Sequence, residues 1–102
     1  MSRGYVLSAP ALHDLDAILE YAYVDGGSGA VRALIARFHE AFARLAAFPH
    51  IGHVSEYLQV GNCRIWTVYD YLVVYNPESS PLEVVRIVHG AQRPSIVSGT
   101  AP

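Results

Sequence analysis

Hydrophobic positions change period along the chain, and each change marks an element. Tyr5-Val6-Leu7 is a short extended run halted by Pro10, which suits the first turn of a helix and holds Ala9 in an extended, cap-like conformation. Leu12, Leu15, Ile18, Leu19 and Ala22 then recur at helical spacing, with Asp14 and Asp16 near the end where the helix dipole favours acids. Gly26-Gly27-Ser28-Gly29 predicts a tight reversal with Ser28 as the cap of a second helix. On that helix Val31, Leu34, Ile35, Phe38, Phe42 and Leu45 form one continuous apolar face. Arg32, Arg37, Glu40 and Arg44 fall on the other side, where Glu40 and Arg44 are spaced to pair at i,i+4, and Phe48-Pro49 closes the helix.

Beyond Pro49 the period is lost up to Asn62, a stretch with turn residues that reads as a long loop. Residues 63–69, 71–76 and 82–89 are rich in Val, Ile, Tyr and Trp, broken by Asp70 and by Pro77-Glu78-Ser79-Ser80-Pro81, and predict an antiparallel three-stranded meander. The order is β-α-α-β-β-β, an α+β domain with a helical hairpin packed on a small, mainly antiparallel sheet. Residues 1–93 make a single domain, and 94–102 a loosely ordered tail without periodicity.

Composition narrows the function. At 102 residues the chain holds one core. Its seven basic residues are all arginine and its net charge is −2, which argues against direct gripping of a nucleic-acid backbone. Charged residues are only 16% of the chain and apolar ones 52%, so apolar and aromatic groups must reach the surface and point to a protein partner. Single Cys63 excludes an intrachain disulfide and a cysteine zinc site, and it fits a cytoplasmic protein. No stretch is apolar enough for a membrane span.

Four pieces occur in order: Tyr5-Val6-Leu7-Ser8-Ala9-Pro10-Ala11 before Asp14-Leu15, then Leu45-Ala46-Ala47-Phe48-Pro49-His50-Ile51-Gly52, Tyr71-Leu72-Val73-Val74-Tyr75, and Val85-Arg86-Ile87-Val88-His89-Gly90-Ala91. Together they resemble the RelE/ParE superfamily of bacterial toxins, and within it the ParE branch, over residues 4 to 93. The resemblance implies the toxin of a type II toxin–antitoxin pair, neutralised by a small cognate antitoxin. ParE-like members inhibit DNA gyrase, whereas RelE-like members cut messenger RNA on the ribosome. The family's last-strand motif commonly continues His-Gly-Ala-Arg, but here Gln92 takes that slot and Arg93 follows.

Those two activities need different chemistry. RNA cleavage requires an activating base, an acid and cations around the phosphate, and the candidates are His50, Arg64, His89 and Arg93. Strict alternation puts Arg86 on one strand face with Leu82, Val84 and Val88, and His89 on the other with Glu83, Val85 and Ile87, so only a bulge could bring the two together. The absence of Lys leaves ribosome gripping undersupplied, and a non-catalytic gyrase inhibitor is the preferred reading, with the RelE-like endonuclease as the alternative. His50 and His53 lack the companions of a metal site, and neither metal nor cofactor is expected. For partner binding the candidates are Tyr21, Tyr23 and Trp66, joined in the tail by Arg93, Pro94, Ile96 and Val97.

Overall fold

A computed structural model describes residues 4–54 and 62–90. Its elements are β1 (Tyr5–Leu7), α1 (Ala9–Ala47), β2 (Arg64–Val68), β3 (Tyr71–Asn76) and β4 (Leu82–His89). Ser8, not Ala9, caps the helix: its backbone is extended and its Oγ accepts from the Ala11 N–H at 3.1 Å.

Within α1 only Gly27 departs from helical angles, at φ 77° and ψ −169°, a conformation open to glycine and costly for other residues. A straight helix of 39 residues would run about 58 Å, well beyond the molecule's longest dimension of 41 Å. Ala11 and Phe42 nevertheless share one buried cluster. The helix therefore doubles back at Gly27 into two limbs, residues 9–26 and 28–47, which is the expected hairpin. The reversal is made by Gly27 rather than by a cap at Ser28, whose own backbone is helical.

The strands form one sheet in the order β1-β4-β3-β2, antiparallel except that β1 lies parallel to β4, with Tyr5 opposite Leu82. Phe38, Ala41, Phe42 and Leu45 of the second limb and Ala11 and Ile18 of the first bury against Val68, Val73, Tyr75, Leu82, Val84 and Ile87. Each fully buried large side chain contributes about 1.5–3 kcal/mol, so this layer supplies most of the driving force. Ile65, Leu72 and Val88 form a smaller cluster on the sheet's opposite face. Leu12 and Ile35, assigned to the apolar faces by periodicity, are instead exposed.

Strict alternation fails on β4. Val74 pairs with Arg86 but Tyr75 pairs with Val84, so Val85 is an extra residue in a bulge. The bulge resets parity: Ile87 joins Leu82 and Val84 in the main core, and Val88 turns to the opposite face. The domain limit expected at residue 93, and the tail beyond it, lie outside the described residues.

Candidate functional site

Of the residues expected to serve RNA cleavage, Arg64 and His50 meet at the turn after the helix, and His89 stands apart at the far end of the sheet. Arg64, at the start of β2, donates through Nη1 to the carbonyls of Gly52 at 2.8 Å and His50 at 3.4 Å, holding the turn that follows the helix. His50 is exposed and its Nε2 lies 3.2 Å from Glu78 Oε2. His89 ends β4 opposite Tyr71, whose ring it meets edge-on at 5.4 Å. Arg64 pairs with Tyr75, four positions along β3 from Tyr71 and on the other side of it from β4. His89 and Arg64 thus stand roughly 13 Å apart along the strands and about 10 Å across them. Arg93 lies outside the described residues.

Arg86 is also committed. The bulge leaves it on the sheet face away from the main core, level with Val74 and Val88. It nevertheless reaches the first helical limb at the β4 edge, where Nε donates to Asp14 Oδ2 at 2.7 Å and Nη2 to Asp14 Oδ1 at 3.1 Å, a bidentate pair that raises the arginine pKa further. Asp14 Oδ2 also accepts the Ile87 N–H at 2.9 Å. Nearby, Ser8 donates from its backbone N–H to the Val84 carbonyl and from Oγ to the Val85 carbonyl. Three-residue β1 covers only Leu82 to Val84. Ser8 and Asp14 therefore close the next part of the β4 edge, a role that sequence reasoning missed by treating Asp14 as a dipole partner alone.

The other sheet edge is arranged differently. Ile65 exchanges backbone hydrogen bonds with His53, at 2.9 and 3.0 Å, so its N–H and C=O point away from β3. In an antiparallel ladder the groups two residues on point the same way. The N–H and C=O of Thr67 therefore face outward, and no described residue pairs with them.

Beside this edge the second limb leaves a cleft of about 260 Å³, with Arg37, Glu40 and Arg44 on the helix wall and Trp66, Thr67 and Tyr69 on the strand wall. Arg37 lies over the Tyr69 ring, 5.2 Å from its centroid. Glu40 pairs with Arg37, at 3.8 Å, and not with Arg44 as its spacing suggested. Arg44 makes no ion pair among the described residues. Both arginines read in the sequence as a solvated helix face, and only the distance to an edge strand some 25 residues later makes them a wall.

Of the expected partner-binding residues, Trp66 is half-buried in this cleft, while Tyr21 and Tyr23 are 69% and 62% exposed near the hairpin tip beside Val24, at 80%. Tyr21 and Tyr23, two apart on a helix, point to different sides. The three do not form one surface. Arg93, Pro94, Ile96 and Val97 fall outside the described residues.

Burial pushes the Cys63 thiol up, with Glu83 adding to it, so the chain's lone thiol stays protonated near neutral pH. Burial raises the Tyr75 phenol, partly offset by the Gly52 N–H it accepts and by the charge of Arg64. No group of three metal-ligating side chains occurs among the described residues, and none of their helices is long and apolar enough to cross a membrane.

Residues 5–94 match the family model described as ParE toxin of type II toxin–antitoxin system, parDE. Among solved structures, a chain from the chromosomal ParDE TA system of P. aeruginosa superposes with a TM-score of 0.70 at 21% identity, over 86% of this chain and 96% of that one. At that identity the likeness concerns the fold. No curated protein matches the chain.

Proposed function

Since the chain belongs to the ParE toxin family of type II toxin–antitoxin systems, we propose that it arrests growth by binding DNA gyrase, without catalysis of its own, and that a cognate antitoxin neutralises it in the cytoplasm. The observation that carries the non-catalytic part is the commitment of the candidate cations. Arg86 is clamped by Asp14, Arg64 is engaged by two carbonyls, and His89 stands far from both Arg64 and His50 along the sheet. General acid–base catalysis needs its groups within hydrogen-bond reach of one reacting phosphate. Arg64 and His50 lie together, but the guanidinium is turned to backbone carbonyls, the imidazole to Glu78, and His89 is far from both, which supports the non-catalytic reading.

The surface supports a binding role. Tyr21 and Val24, three apart on one side of the first limb, and Tyr23 on another are exposed, and an under-charged chain gains from covering such groups with a partner. Arg93, Pro94, Ile96 and Val97 add a cation and apolar side chains that suit a contact with target or antitoxin.

A supercoiling assay tests the reading. Purified toxin is expected to block gyrase, and the variants His50→Gln and His89→Gln are expected to block it equally well. Growth arrest is expected to be relieved by co-expression of the neighbouring antitoxin. Cleaved messenger on translating ribosomes, lost in either histidine variant, would replace this function with the endonuclease.

A further inference from the structure

We propose that the cleft between the second helical limb and the β2 edge receives an extended, acidic segment of the partner protein, laid beside Thr67 with its carboxylates on Arg37 and Arg44. The proposal rests on the antitoxin reading for the identity of the partner, and on three features of the cleft for its chemistry.

The first is the asymmetry of the two sheet edges. On β4, beyond the reach of β1, Ser8 and Asp14 occupy the next outward-facing backbone groups. On β2 the pairing with His53 stops at Ile65, leaving the outward N–H and C=O of Thr67 for an added chain. An extended peptide satisfies such groups with its own backbone, whereas a helix cannot, since its amides are already paired.

Charge is the second. The helix wall carries Arg37 and Arg44 against one carboxylate, Glu40, which contacts Arg37 only at 3.8 Å. Guanidinium groups favour bidentate carboxylates, so a segment bearing acids at alternate positions completes the wall. Size and lining are the third. About 260 Å³ bordered by Trp66 and Tyr69 accommodates a few side chains of a strand, not a folded domain. The chain's net charge of −2 disfavours a nucleic-acid strand as occupant.

Trp66 is the only tryptophan in the chain, so the cleft reports on itself. A ten-residue peptide alternating glutamate and valine, titrated into the full-length toxin, is expected to change Trp66 emission saturably, with affinity falling as salt rises. The double variant Arg37→Ala/Arg44→Ala is expected to weaken binding at least tenfold, and Arg32→Ala, on the same limb but outside the cleft, to leave it unchanged. No saturable change, an equal response to the lysine–valine counterpart, or tighter binding of a single-stranded RNA of ten nucleotides would overturn the proposal. Growth rescue by the antitoxin is measured in parallel. Rescue that survives the double variant undiminished rejects the cleft and leaves the antitoxin reading standing. Peptide binding without rescue by any neighbouring gene product rejects that reading and retains the cleft.

Discussion

Asp14 grips Arg86 across 72 positions of sequence, with one oxygen at 2.7 Å from Nε and the other at 3.1 Å from Nη2, while also accepting the Ile87 N–H. One carboxylate thereby fastens the first helical limb to the last strand and closes part of a sheet edge.

Replacing Asp14 by Ala strips an acceptor from Ile87 and from Arg86. Because Arg86 is partly exposed and can rehydrate, the expected loss is about 2 kcal/mol rather than the larger cost of orphaning a fully buried charge. Asp14→Asn, which keeps one acceptor, is expected to lose about half of that. Urea titration checks both, through a lower midpoint with an unchanged slope.

Gly27 and Gly29 lie two residues apart in the same helical stretch, yet their substitutions are expected to differ in sign. Gly27→Ala forces a side chain into the angles that reverse the helix and is expected to destabilise by about 1–3 kcal/mol. At Gly29 an added Cβ meets nothing within 4 Å and the backbone is helical. Gly29→Ala is therefore expected to leave stability unchanged or raise it by up to about 1 kcal/mol. Thermal melts of the two variants side by side decide the matter.

Alkaline titration is expected to unfold the protein. Burial raises the phenols of Tyr5, Tyr71 and Tyr75 from 10.0 and the Cys63 thiol from 9.0. An acid whose folded pKa lies above its unfolded one contributes stability below the unfolded value and loses it as pH rises through the folded value. Stability is thus expected to hold up to about pH 9 and then fall, through pH 10 and above. In Tyr75→Phe the fall is expected to be shallower, on a baseline about 1–2 kcal/mol lower at neutral pH. That lower baseline reflects the loss of the O–H donated to Pro49 and the acceptor of the Gly52 N–H.

Deleting the chain after Gln92 is expected to keep the sheet, which β4 completes at His89, and to reduce toxicity sharply through loss of Arg93, Pro94, Ile96 and Val97. Circular dichroism and growth curves of the truncated protein test the two halves. Undiminished toxicity would make those residues dispensable.

Element order was legible because periodicity is local: the run from Val31 to Leu45 and the Val- and Tyr-rich segments each declare their own type. The cap at Ser8, one residue before the expected one, was legible too, since a serine accepting from the N–H three positions on, here Ala11, is a local signal. Two features were not legible. The bulge at Val85 defeated alternation on β4, since an extra residue leaves no mark in a run of apolar side chains. The cleft was invisible for the same reason: Arg37 and Arg44 acquire meaning only from the strand beside them. By contrast, the exposed Tyr21 and Tyr23 follow from the helix wheel and an apolar surplus that a small core cannot absorb.

The parallel pairing of Tyr5–Leu7 with Leu82–Val84 sets an order of events during synthesis. The first strand leaves the ribosome long before the strand it must join, and closing so long a loop is slow compared with forming the helical hairpin. A nascent chain therefore carries an unpaired strand and an uncovered apolar helix face until Leu82–Val84 have left the ribosome. A chain ending before Leu82 lacks the strand that joins β1 to β3 and is expected not to hold this sheet.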